Sequence, residues 1–212
     1  MCFHSKQTKK ATEVENRFKA EIKDIQNFKP SANINGFNFP NTPVIIDENP
    51  SQIIHYNWGL IPSWSKDDEI RKMTLNAKIE TAEHKPSFRD SINKRCLVIA
   101  NGFYEWQWLD SKGKYKNKFE IGIGNDELFA FAGIYSQWLD NTTGEIINTY
   151  TILTTEANPL MAEIHNTKKR MPVILKREDE SNWLNNQPLS NFAFPYQQNL
   201  IAINTTGTTT LF

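Results

Sequence analysis

Residues 96–109 read Cys-Leu-Val-Ile-Ala-Asn-Gly-Phe-Tyr-Glu-Trp-Gln-Trp-Leu. Residues 96–100 predict a strongly apolar strand, and residues 104–109 a second, aromatic-rich one. Alternation along the second strand sets Phe103 and Glu105 on one side and Tyr104 and Trp106 on the other. Asp110-Ser-Lys-Gly113 is a hairpin-turn signal, after which residues 118–123 run back as a strand. Further strands are expected at 128–138 and 146–154. Strands in runs, with short helices between them and no regular βαβ alternation, predict an α+β fold. Its expected form is a mainly antiparallel, barrel-like sheet system with short peripheral helices.

Outward from this block the signals are shorter. The clearest predicted helix covers 12–28. Thr12 and Glu15 form a capping-box pattern, and Val14, Phe18, Ile22, Ile25 and Phe28 recur at spacings of three or four until Pro30. Residues 31–50 are rich in Asn and Pro and read as loop with one short strand at 43–46, followed by a strand at 51–58. Ser65 with Asp68 caps a short helix to residue 73, and Pro86 opens another to residue 94. Asn158-Pro159 is an N-cap followed by a first-turn proline, starting a helix through 164. A strand at 172–175, a short helix at 179–184 and a last strand at 200–204 complete the expectation. No repeat or low-complexity linker interrupts the chain, so residues 1–212 read as a single domain.

With 212 residues, 24 basic and 24 acidic side chains, and 12% aromatics, the composition is globular rather than disordered. The longest apolar run, residues 128–135, is far below the roughly 18 residues a membrane span needs. The start of the chain has no apolar signal-peptide core, and Cys2 and Cys96 do not make a disulfide framework. A cytoplasmic protein that does not engage membranes, and that acts as a monomer, is expected. Zero net charge argues against nucleic acid only at first sight. Residues 119–167 hold seven acids and no Lys or Arg, whereas residues 112–118 hold four lysines and no acid. Lys168, Lys169, Arg170, Lys176 and Arg177 form another basic run. Either these are ordinary solvated loops, or a neutral protein presents one basic face.

Several residues are able to carry chemistry. Met1 is generally removed when the second residue is small, and Cys2 is small. The chain would then begin with a cysteine bearing a free amine, with a reference pKa of about 7.7–8.0, beside a thiol at about 8.5. Such a 1,2-aminothiol condenses with an aldehyde to an imine, and the thiol then closes a five-membered thiazolidine. The alternative is an incidental cysteine on a frayed terminus. Glu105, set among aromatics after an apolar strand, is a candidate general acid or base if buried, and a solvent-facing strand residue if not. His165 lies between a short helix and a basic run, as a proton shuttle or a solvated loop residue. Asn76, in a loop-like stretch, has an amide able to orient an amine or a carbonyl oxygen. Trp58 and Trp64 flank a Gly/Pro loop, where they either close a core or stack on an unpaired base. The four histidines are scattered, and CxxC, HExxH, P-loop and GxGxxG motifs are missing from the sequence. No metal and no nucleotide cofactor is expected.

In order along the chain stand Met1-Cys2, Trp58-Gly-Leu-Ile-Pro-Ser-Trp64, Asn76-Ala-Lys78-Ile-Glu80-Thr81, Asn101-Gly-Phe-Tyr-Glu105-Trp106, and His165 with Arg170-Met-Pro172. Together they resemble the SOS-response-associated peptidase (SRAP) family of abasic-site processing proteins, over residues 2 to about 175. The resemblance implies binding of single-stranded DNA and covalent capture of the aldehyde of a ring-opened abasic sugar by Cys2. Asn76 would position the amine or the opened sugar, Glu105 would serve as acid and base, and His165 would pass a proton to the sugar oxygen and assist reversal. Lys78 and Arg170 would hold phosphates, with Lys168 and Lys169 beside them. Trp58, Trp64 and Trp106 would wedge or stack beside the lesion.

The chain departs from that family pattern in three places. Phe3-His4 stands where Gly-Arg is usual, so His4 offers a weaker, pH-dependent phosphate contact. Lys78 replaces an Arg, keeping the charge and losing the planar fork. Four residues, rather than one, separate His165 from Arg170. Two other functions compete: a thiol peptidase built on Cys2 and His165, in its narrow form limited to removal of Met1, and a non-covalent DNA-binding module in which Cys2 is incidental.

Overall fold

The computed structural model describes residues 2–207. Its strands are β1 His4–Gln7, β2 Glu21–Ile22, β3 Ser31–Asn35, β4 Asn41–Ile46, β5 Gln52–Trp58, β6 Asn76–Lys78, β7 Arg95–Ala100, β8 Gly102–Trp108, β9 Lys116–Gly122, β10 Phe129–Leu139, β11 Ile146–Glu156, β12 Arg170–Pro172 and β13 Ile201–Asn204. The α-helices among these residues are short: α1 Ala11–Phe18, α2 Pro159–Ile164 and α3 Glu180–Leu184. The expected α+β class, with a mainly antiparallel, barrel-like sheet system, is what the chain forms.

Two sheets account for the architecture. The larger has the order β12-β11-β10-β7-β4-β5-β2, and β11 also pairs in parallel with β5, so β5, β4, β7, β10 and β11 close into a ring. The smaller has the order β13-β9-β8-β1-β3. The apolar run at 96–100, and Arg95 before it, are buried throughout because both faces of β7 are covered. Cys96, Val98 and Ala100 join Val44, Phe131, Tyr135 and Tyr150 in one core, which also takes Phe103 and Ile121 from the smaller sheet. Leu97 and Ile99 join Ile45, Ala130 and Ala132 in a second core under Val14 of α1 and Trp183 of α3. Period-two alternation thus sorts every second side chain into one core or the other. Phe103 meets Phe131 edge to face, with centroids 5.8 Å apart, which fastens the smaller sheet to the ring.

Several local expectations are corrected. The helix expected over 12–28 stops at Phe18, where Lys19 turns left-handed at φ 54°. The chain then re-enters as β2, parallel to β5. The apolar spacing was met by different means: Val14, Ile22 and Phe28 all reach the second core, while Ile25 is exposed. Lys10 and Glu13, rather than Thr12 and Glu15, make the start-of-helix contact, Lys10 N donating to Glu13 Oε2 at 2.9 Å. Glu15 instead accepts from Ile22 N at 3.0 Å and holds the turn into β2. The helices expected at 65–73 and 86–94 are only 3₁₀ turns, Glu69–Met73 and Arg89–Ser91. The loop-like stretches around 31–35 and 76–78 are strands β3 and β6, because each finds a partner distant in sequence. The strand expected at 172–175 is β12, ending at Pro172, with Ile174 making a single bridge to Phe131.

Gly133 lies where β7, β10 and β11 pack most closely. A Cβ there would stand 2.7 Å from Cys96 Sγ, 2.9 Å from Val98 Cγ2 and 3.1 Å from Thr151 O. Neither backbone nor core can yield that space cheaply. Gly133→Ala is expected to cost about 1–3 kcal/mol, read as a lower urea midpoint with an unchanged m-value.

Candidate functional site

Cys2 lies two residues before the start of β1 and is fully buried. β1 lies between β3 and β8, with Ser5 opposite Phe103 and His4 opposite Tyr104. This register brings the start of the chain to the part of β8 that carries Glu105. Asn76 reaches the same point from the ring. β6 runs parallel to β11, with Asn76 opposite Ile152, and Asn76 Nδ2 donates to the Cys2 carbonyl at 2.8 Å. Asn76 Oδ1 is buried and accepts no hydrogen bond among the described residues. One end of the amide therefore grips the chain while the other offers an acceptor to an incoming N–H or O–H.

The electrostatics follow from burial. Glu105 is 5% exposed, and loss of solvent raises its carboxyl to about 7. Burial, and then the neighbouring charge of Glu105, push the Cys2 thiol well above its ordinary range. A carboxyl poised near neutrality beside a protonated thiol can give a proton at one step and take one at the next.

His165 caps the C-terminal end of α2, whose other end is closed by Asn158 Oδ1 accepting from Met161 N at 2.9 Å. Burial lowers its imidazole to about 4, so the ring is neutral at pH 7. Nδ1 stands 2.9 Å from the carbonyl oxygen of Arg170 and 3.2 Å from its amide nitrogen. Protonated, Nδ1 donates to the carbonyl; bare, it accepts from the amide. Arg170's backbone thus serves both tautomers without movement of the ring. The residues flanking His165 are tied to β8. Gln107 Nε2 donates to Glu163 O at 3.3 Å, and Asn166 both accepts from Trp108 N at 3.1 Å and donates to Trp108 O at 2.8 Å. Cys2, Asn76 and Glu105 are brought together, and α2 docks His165 onto the same strand.

The residues expected to touch DNA divide. Trp64 is 51% exposed, although its Nε1 donates to Pro86 O. Lys78, Lys168 and Lys169 are exposed, and they form no ion pair among the described residues. Trp58 is a correction: it is fully buried, its Nε1 donates to Leu75 O at 2.8 Å, and its ring stacks on Tyr150. It is a core residue with no face left for a base. Trp106 is partly exposed but sits on the opposite face of β8 from Glu105, against His4 at a centroid distance of 5.0 Å. His4 Nδ1 is 3.2 Å from Asn33 Oδ1. Arg170 is already engaged: Nη1 and Nη2 form a two-pronged pair with Glu80 at 3.0 and 2.7 Å, and Nη2 also donates to Thr154 O at 2.6 Å. Against the cost of burial, Arg170 and Thr155 hold the Glu80 carboxyl below its ordinary range.

Sequence reasoning assigned no role to Glu80 or Asn166. Glu80 fixes Arg170 and hence the backbone that orients His165; Asn166 braces that loop on β8. A single sequence carries no sign of a contact 90 residues apart. No group of three or more His, Cys, Asp or Glu able to hold a metal occurs among the described residues.

The family model described as SOS response associated peptidase (SRAP) matches residues 1–206. A Bacillus subtilis protein named abasic site processing protein YoqW is 42% identical over 160 residues, covering 75% of this chain and 66% of that protein's length. A chicken protein named abasic site processing protein HMCES is 35% identical over 159 residues, covering 65% of this chain and 46% of its own length. Among solved structures, a Bacteroides thetaiotaomicron protein superimposes with a TM-score of 0.87 at 36% identity, covering 96% of this chain and 91% of that one. A family match over nearly the whole chain, joined to relatives above 30% identity, allows one conclusion: the chain belongs to the SOS response associated peptidase (SRAP) family.

Proposed function

We propose that this protein processes abasic sites in single-stranded DNA by capturing them covalently through Cys2, as part of a DNA damage response, acting as one cytoplasmic domain and as a monomer. The observation that carries this reading is the convergence of Cys2, the Asn76 amide and a buried carboxyl with a pKa of about 7. In this reading Met1 is removed and the amine of Cys2 becomes free.

The steps balance without a cofactor. The abasic sugar opens to an aldehyde, His165 Nε2 moving a proton to the ring oxygen. The amine of Cys2 adds to the aldehyde carbon, giving a carbinolamine. Glu105 gives its proton to the hydroxyl, which leaves as water, and a protonated imine (iminium) forms that keeps the N–H. The Cys2 thiol then adds to the imine carbon; its proton passes to Glu105, and the nitrogen is left as a ring N–H. The sum is aldehyde plus aminothiol giving thiazolidine plus water. Asn76 Oδ1 accepts from the attacking amine and fixes its direction. Lys78, Lys168 and Lys169 hold phosphates of the strand by charge, and Trp64 stacks beside the lesion.

The thiol-peptidase reading fits the electrostatics less well. A peptidase site needs a depressed thiol pKa and an imidazole that charges readily. Burial drives the two groups the other way, the Cys2 thiol up and His165 down.

Purified protein incubated with a single-stranded oligonucleotide holding one abasic site is expected to give a heat-stable band on a denaturing gel. Cys2→Ala is expected to abolish it, and mass spectrometry is expected to find an N-terminus lacking Met1. A band that persists in Cys2→Ala, or never appears in the natural protein, would falsify the assignment. The pH dependence has a definite sign. Below about pH 7.7 the amine becomes protonated and attack slows; above about pH 7 Glu105 loses its acid proton. The crosslinking rate is expected to be bell-shaped, with its maximum between. Glu105→Gln is expected to slow the reaction about 10²-fold and to flatten the alkaline limb; an unchanged profile removes Glu105 from the chemistry.

A further inference from the structure

The smaller sheet has two unlike faces. Phe103, Glu105, Phe119 and Ile121 alternate onto the face that meets the ring and α2. The other face collects Tyr104, Trp106 and Trp108 from β8, opposite Glu120, Lys118 and Lys116 of β9 in that order. From β1 come His4, opposite Tyr104, and Lys6, opposite Gly102. From β13 come Ile203, opposite Glu120, and Ile201, opposite Gly122. Ile201 and Ile203 are 54% and 59% exposed, so no other element among the described residues covers this face at that edge.

The face is cationic and aromatic by construction. Lys118 Nζ lies 4.1 Å from the centroid of Tyr104, and Lys116 Nζ 5.0 Å from that of Trp108. Lys114 adds a third charge at the hairpin end, over Tyr115. The face's acid, Glu120, is taken by Lys6 at 2.5 Å. Lys114, Lys116 and Lys118 form no ion pair among the described residues. Trp106 and Trp108 are partly exposed, and as strand neighbours two apart they sit about 7 Å from each other. That spacing suits successive bases of an unpaired strand, each offering a π-face to a ring while its phosphate meets a lysine. Asn166 exchanges two hydrogen bonds with the Trp108 backbone, and Gly113 of the turn packs against one face of the Trp108 ring. The row reaches back toward the start of the chain, where His4, two residues from Cys2, contacts Trp106.

We propose that this outer face is a second track for single-stranded nucleic acid, in which Trp106 and Trp108 stack on bases and Lys114, Lys116 and Lys118 hold phosphates of the strand leaving the Cys2 centre. It rests on the abasic-site reading for its direction of travel, and it is tested without a lesion. The probe is a fluorescently labelled, lesion-free thymidine 16-mer, its binding followed by anisotropy between 50 and 200 mM salt. The double variant Lys116→Glu/Lys118→Glu is expected to bind it at least about tenfold more weakly. The slope of log affinity against log salt should fall by about 1.4, at ~0.7 per single-strand phosphate contact. Crosslinking to an abasic pentamer, too short to reach the hairpin end, is expected to remain at the natural level, which also reports that the variant is folded. An unchanged affinity and slope for the 16-mer would sink the proposal. So would equal displacement of the 16-mer by polyglutamate of matched charge, which would mark the face as a site for acidic protein instead. Failure of the natural protein to crosslink any abasic DNA would strike only the covalent reading, since the lesion-free measurement still decides this one.

Discussion

The pairing of β11 on both of its edges is the constraint from which the rest follows. Ile152 stands between Gly133 and Asn76, and Thr154 between Pro172 and Lys78. One edge pairs with β10 and then β12; the other pairs with β5 and then β6, both in parallel. The first pairing on the second edge closes the ring, and the next sets Asn76 against the carbonyl of Cys2. On the first edge, β12 carries Arg170 to Thr154 and Glu80. A slip of one residue would reverse every side chain on the strand, sending Ile152 from the first core toward the second and Asn76 away from the chain start. The register is secured because both faces of the ring are buried.

Burial has a cost that the site turns to use. A carboxyl removed from water loses its preference for the charged state, and Glu105 accordingly stands near neutrality rather than in the ordinary carboxylate range. His165 is kept neutral by the same loss of solvent. What distinguishes the two is their anchoring. The imidazole is met by a donor and an acceptor of one residue's backbone, which is fixed in turn by the two-pronged Arg170–Glu80 pair. Arg170 therefore belongs more to the support of His165 than to an open phosphate grip, and the exposed lysines at 168 and 169 fill the loop that separates them.

The sheet carrying Glu105 also separates two kinds of chemistry across its thickness. Its covered face holds the buried carboxyl of Glu105; its open face is cationic and aromatic. Charges on the open face are screened within about 8–10 Å at physiological salt, so they act on what meets that face far more than on proton positions on the other side. The uneven charge along the chain acquires a physical meaning here. The lysines at 112–118 cluster on one hairpin, and the acid nearest them on that face is already paired.

The sequence by itself determined the fold class, because strand runs, turn residues and apolar alternation are local, and a few strands pair with their neighbours in sequence. The hairpins β8–β9 and β10–β11 and the Asn158 cap were legible for that reason, and so were the ordered motifs that carry the family resemblance. Alternation also placed Glu105 and Trp106 on opposite sides of their strand. The tertiary structure alone decided what depends on distant partners. β2, β3 and β6 are too short to declare themselves and exist only through pairing, which cut the helix expected at 12–28 short at Phe18. Trp58 could not be told from an exposed wedge until Leu75 and Tyr150 closed over it. The state of Glu105 and His165, and the capture of Arg170 by Glu80, arise from solvent exclusion and from contacts made 90 residues apart, and neither is written in any local pattern.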